Sequence, residues 1–86
     1  MRKRADWMTR TDDEILEYLD EQGAGTPKAI ADAIDRNNQY IGVRCRTLAS
    51  YGLVEKPSRG FYVITDDGRS YLEGELDASK LTESEQ

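Results

Sequence analysis

The apolar pattern of this chain changes period at Gly52. Before it, Ile41, Cys45 and Leu48 recur at i, i+4 and i+7, the spacing of one helical face. After it, Leu53-Val54-Glu55-Lys56 and Phe61-Tyr62-Val63-Ile64 read as two short strands joined by Pro57-Ser58-Arg59-Gly60. A helix that stops on a glycine and passes directly into a hairpin leaves few architectures open. The length narrows them further, because 86 residues permit one domain with a single small core, burying about 60% of the unfolded surface.

Upstream of this junction the signals are helical. Thr11-Asp12-Asp13-Glu14 fits a capping box, Thr9 with Asp12 fits equally well, and Ile15, Leu16 and Leu19 follow at helical spacing up to Gly23 and Gly25. Thr26-Pro27 opens a second, short helix that buries Ile30, Ala31 and Ile34 and reaches about Asp35. Arg36-Asn37-Asn38 reads as a tight turn, since asparagine tolerates left-handed backbone, and a third helix runs from about Asn38 to Tyr51. Thr65-Asp66-Asp67 caps a last helix that returns Tyr71, Leu72 and Leu76 to the core. The expected class is α+β, mostly α: a three-helix core, a short β-hairpin and a C-terminal helix over residues 1–76. An acidic tail over residues 77–86 is expected to be disordered.

Charge is segregated along this frame. Residues 36–60 hold five basic side chains (Arg36, Arg44, Arg46, Lys56, Arg59) against one acid, Glu55, in a chain of net charge -5. Residues 11–35 hold eight carboxylates and one lysine, so the positive charge is confined to one stretch, as a polyanionic partner requires. Rotating 100° per residue from the buried face of the third helix turns Gln39, Val43, Arg46 and Ser50 outward, with Tyr40, Gly42, Arg44 and Thr47 on the shoulders. Arginine can pair two parallel bonds to guanine, glutamine can pair with adenine, and an outward valine can meet a thymine methyl. Gly42 costs about 1 kcal/mol inside a helix unless a close approach compensates.

Leu48-Ala49-Ser50-Tyr51-Gly52-Leu53-Val54 resembles the end of a winged-helix recognition helix, and Phe61-Tyr62-Val63-Ile64-Thr65-Asp66-Asp67-Gly68-Arg69 resembles its closing strand and following helix. The opening Arg2-Lys3-Arg4-Ala5-Asp6-Trp7-Met8-Thr9, followed by Ile15-Leu16, is further similar to small repressor-like proteins of haloarchaea and their viruses, the phage phi-H repressor type. The resemblance implies a winged helix-turn-helix that binds double-stranded DNA in a sequence-specific way, the third helix in the major groove and the wing near the phosphate backbone. By position it puts Gln39, Tyr40, Val43, Arg44, Arg46 and Thr47 in the groove and Arg59 on the wing. Arg36 and Asn38 are better placed for phosphate.

Other classes are weaker. There is no histidine and one cysteine, so neither a disulfide nor a Cys/His zinc site can be assembled, and no cofactor is expected. With no phosphate-binding glycine loop and no nucleophile beside a base, an enzyme is not expected. A winged-helix adaptor that binds protein is the alternative, but it would favour large apolar anchors where this face offers arginines. No apolar run follows the basic N-terminus, so the expected location is the cytoplasm, away from membrane. Seventeen acids against twelve bases, eight of them arginine, fit a halophilic, archaeal origin. One recognition helix reads too few base pairs for an operator, so a homodimer is expected, with Trp7, Met8, Tyr71, Leu72 and Leu76 as its contact residues.

Overall fold

The computed structural model describes residues 1–84. The order is α1 (Arg10–Gln22), α2 (Pro27–Ile34), α3 (Asn38–Ser50), β1 (Val54–Ser58), β2 (Phe61–Ile64), α4 (Asp66–Leu72) and a 3-10 turn, Ala78–Lys80. This is the winged helix-turn-helix that the resemblance implied. Among the described residues no helix is long and apolar enough to cross a membrane.

The core is built by the faces that helical periodicity selects. Ile15, Leu16 and Leu19 of α1 and Ile41, Cys45 and Leu48 of α3 are all fully buried, closed by Ile30, Leu53, Val54, Tyr62, Ile64 and Tyr71. Burial pushes the Cys45 thiol up to about 12, so it packs as a small apolar group and not as a reactive thiolate. Thr9 is the N-cap of α1, and the Asp12 carboxylate accepts from its backbone N–H at 2.9 Å. Thr26 caps α2 with proline at the first turn, and Thr65 caps α4.

The turn between α2 and α3 differs in detail from the sequence reading. The left-handed residue is Asp35 (φ 58°), while Asn37 is extended and caps α3 by accepting from the Tyr40 N–H at 3.0 Å. An aspartate at the negative end of α2 opposes the helix dipole as well as straining its own backbone. Asp35→Gly is therefore expected to raise stability by about 1 kcal/mol, read as a higher urea midpoint with an unchanged slope.

β1 and β2 pair antiparallel, Val54 with Ile64 and Glu55 with Val63, and an irregularity before Ser58 leaves Arg59 and Gly60 at the tip. Gly25 pairs with β2 outside this ladder. Its N–H donates to the Tyr62 carbonyl at 3.0 Å and its carbonyl accepts from the Tyr62 N–H at 2.8 Å, which locks the α1–α2 connection to the wing. A Cβ at Gly25 would lie 2.7 Å from the Tyr18 ring, so this glycine serves close approach while Gly23 (φ 87°) ends α1.

The C-terminal part departs most from expectation. α4 stops at Leu72, not near Leu76, because Gly74 (φ 80°) reverses the chain against the Met1 backbone. In the tail expected to be disordered, Lys3 and Asp77 form a parallel bridge, the Ala78 N–H donates to the Lys3 carbonyl at 2.9 Å, and Ala78 is fully buried. Residues 85 and 86 of that tail lie outside the described residues. Two of the expected dimer contacts are withdrawn as well, since Met8 and Tyr71 are core residues, whereas Trp7, Leu72 and Leu76 are only partly buried.

Candidate nucleic-acid interface

α3 is fixed on three sides and open on the fourth. Its open face carries Gln39, Tyr40, Val43, Arg46, Thr47 and Ser50, and Tyr40 and Val43 are, with Met1, the exposed large apolar residues among those described. An apolar side chain 47% exposed in the middle of a polar helical face has no packing role in the free chain. Thr47 donates its hydroxyl to the Val43 carbonyl at 3.0 Å, a bond along the helix that holds its rotamer. Asn38 is exposed at the first turn of α3, next to the Asn37 cap.

Two of the sequence-selected arginines are committed elsewhere. Arg44 does not face outward. Its Nε donates to Asp12 Oδ1 at 2.8 Å and its Nη2 to Asp12 Oδ2 at 2.6 Å and to the Trp7 carbonyl at 3.1 Å. Asp12 is fully buried and Arg44 only 15% exposed, so this bidentate pair is an internal clamp between α1 and α3. The hydrogen bonds to Asp12 hold the Arg44 guanidinium more firmly protonated than usual. Arg36 pairs with Glu14 at 3.0 Å across a partly exposed contact, so in the unbound chain it is not a free cation.

The remaining cations converge between α3 and the wing. Arg46, Ala49 and Ser50 of α3 face Lys56 of β1 and Tyr62 of β2 across a cleft of about 280 Å³. Lys56 Nζ stands 5.7 Å from the Tyr62 ring centroid, within cation–π range. A Cβ added to Gly42 would meet nothing closer than Arg46 Nη1 at 3.7 Å, so the glycine lines the track along which that guanidinium lies. Arg59 is exposed at the hairpin tip beside Gly60 (φ 97°).

Sequence reasoning missed the supports of this face. Asp12 lies three, four and seven residues before Ile15, Leu16 and Leu19, so the same periodicity that buries them buries Asp12, and a buried carboxylate demands a cation. Asp13, also buried, accepts from the Tyr71 hydroxyl at 2.7 Å and pairs with Arg4 at 2.9 Å, joining the N-terminal segment to α4. Trp7 stacks on Tyr51 just past α3, with ring centroids 4.0 Å apart and planes at 13°. No local pattern announces these pairings, which join residues 44 and 58 positions apart.

Residues 1–84 match the family described as winged helix-turn-helix phage repressor. The chain is 36% identical over 91 residues to a repressor protein of Halobacterium phage phiH, covering 94% of this chain and 97% of that one. It superposes on the crystal structure of the PhiH1 repressor-like protein from Haloarcula marismortui with TM-score 0.89 at 39% identity, covering 96% and 97% of the two chains. A more distant likeness is Bordetella bronchiseptica BpsR, whose DNA binding is regulated by 6-hydroxynicotinic acid. There the TM-score is 0.73 at 21% identity over 79% of this chain and 52% of BpsR, a similarity of fold. The sources of the first two fit the acid excess of this sequence.

Proposed function

Since the chain belongs to the winged helix-turn-helix phage repressor family, we propose that it is a cytoplasmic transcriptional repressor that recognises a specific DNA sequence with α3 in the major groove. The observation that carries this reading is the exposed face of α3, where Gln39, Val43 and Arg46 stand free of acidic neighbours on a helix clamped from behind. A major groove about 12 Å wide admits such a helix, and these side-chain types match guanine, adenine and thymine edges. Arg59 and Asn38 flank the face where the backbone passes, and they position without reading sequence.

The acidic exterior bears on how tightly the protein holds DNA at random. Phosphate-driven affinity falls with salt at a slope near -0.9 per phosphate, and among the described residues the basic stretch 36–60 keeps only Arg46, Lys56 and Arg59 out of ion pairs. The salt slope is expected to be shallower than about -6, with folding retained or improved as potassium chloride rises. A gel shift against the intergenic DNA flanking its gene, repeated across a potassium chloride series, tests both. A specific shift that survives high salt is expected, and loss of the fold at high salt contradicts the halophilic reading.

The working unit of this proposal is a homodimer on a partial inverted repeat, with half-site centres about 34 Å apart or a multiple of that. Trp7, Leu72 and Leu76 keep their assignment as contacts, being partly buried and not core. Light scattering of the free protein and the stoichiometry of the complex decide this, and a monomer that binds one asymmetric site one-to-one contradicts it.

A further inference from the structure

The cleft between α3 and β1 holds two cations that no acid neutralises. Neither Arg46 nor Lys56 has a carboxylate within ion-pair distance among the described residues, although Arg2, Arg4, Arg36, Arg44 and Arg69 all do. Ser50 and Tyr62 complete its wall with two hydroxyls. A shallow site with two cations, hydroxyl groups and an aromatic face suits a phosphate diester.

The tail reaches the same place from the other side. Anchored at the buried Ala78 and the partly buried Leu81, it runs to the C-terminal end of α3. There the Ser84 N–H donates to the Ser50 carbonyl at 2.6 Å, and the single Ser50 hydroxyl hydrogen is shared between the Thr47 carbonyl at 2.7 Å and Glu83 Oε2 at 3.2 Å. The backbone bond satisfies a helix-end carbonyl, which any residue could do. The Glu83 contact places a carboxylate against a residue that lines the cationic cleft.

We propose that this cleft takes a backbone phosphate of bound DNA, and that Glu83 opposes it in the free chain as a tethered competing anion. The proposal rests on the DNA reading above and adds a ligand site, Lys56 with Ser50, beside the Arg46 that the DNA reading assigns to base edges, together with an acidic tail that weakens it. A phosphate entering the cleft meets the Glu83 charge at close range, so DNA binding and retraction of the Glu83 side chain are linked. Salt screens the repulsion and the attraction alike, which keeps non-specific binding low where ionic strength is low and the cations would otherwise act strongly.

The test compares full-length parent, Glu83→Gln and Lys56→Ala, and the double variant, by fluorescence anisotropy. The probes are a labelled duplex from the flanking intergenic DNA and a shuffled duplex of equal length, in low and in molar potassium chloride. Glu83→Gln keeps an acceptor for the Ser50 hydroxyl and removes only the charge. It is expected to bind both duplexes about three- to tenfold tighter at low salt, with the gain shrinking at molar salt and much reduced in the Lys56→Ala background. Unchanged or weaker binding by Glu83→Gln, while the parent binds DNA, overturns the competing-anion proposal alone. Equal binding by Lys56→Ala and parent removes the phosphate site. Failure of the parent to bind either duplex removes the DNA reading beneath both.

Discussion

Arg44→Ala is expected to destabilise the protein by about 3–5 kcal/mol, enough to leave a domain of this size largely unfolded. The variant strands the fully buried Asp12 carboxylate without its two guanidinium bonds, and it also frees the Trp7 carbonyl. Chemical denaturation followed by circular dichroism measures the loss. Arg44→Lys should recover only part of it, because an ammonium cannot reproduce the two parallel bonds to Asp12. Any loss of DNA binding in Arg44→Ala is thus a consequence of folding, and it must not be counted as a lost base contact. A variant as stable as the parent would show that the clamp contributes nothing.

Gly68→Ala is the second large effect, at about 3 kcal/mol or more. Gly68 sits inside α4 where the helix crosses the strand junction, and an added Cβ would overlap the Leu53 carbonyl oxygen and Ile64 Cγ1. The first of these is backbone and has no rotamer to yield. Helix propensity alone predicts the opposite sign, since alanine outranks glycine by about 1 kcal/mol in a helix interior. Gly42→Ala supplies the control: only the flexible end of Arg46 lies near its added methyl, so this change is expected to raise the urea midpoint. Opposite shifts for two glycines, both within helices, would show that packing decides the first and propensity the second.

The parts of this fold that are local were legible in the sequence. Period, caps and stop signals located four helices and a hairpin, because each depends on residues within a turn or two of one another. The outward face of α3 followed from the same rotation that buried Ile41, Cys45 and Leu48. What depended on distant pairing was not legible. Arg44 lies on the shoulder of α3, where rotation leaves open whether it turns to solvent or inward, and the choice is made by Asp12, 32 residues earlier. Asp12 and Asp13 read as caps because their first-turn position suffices to explain them, yet both are also buried partners of remote groups. The tail looked unstructured on composition, but Ala78 and Leu81 are enough to seat it on the core. Gly68 gave no sign, since a glycine near a helix start is commonplace until the crossing strand is known.

The central claim is that α3 reads base edges through Arg46, and its most direct test is a titration of parent and Arg46→Ala against a cognate intergenic duplex and a shuffled duplex, with thermal melts of both proteins. Arg46 is exposed and makes no ion pair among the described residues, so the melts should coincide. Arg46→Ala is expected to lose about 1–3 kcal/mol on the cognate duplex and much less on the shuffled one. Equal binding of the cognate duplex by both proteins, or a parent that does not distinguish the two duplexes, would contradict the claim.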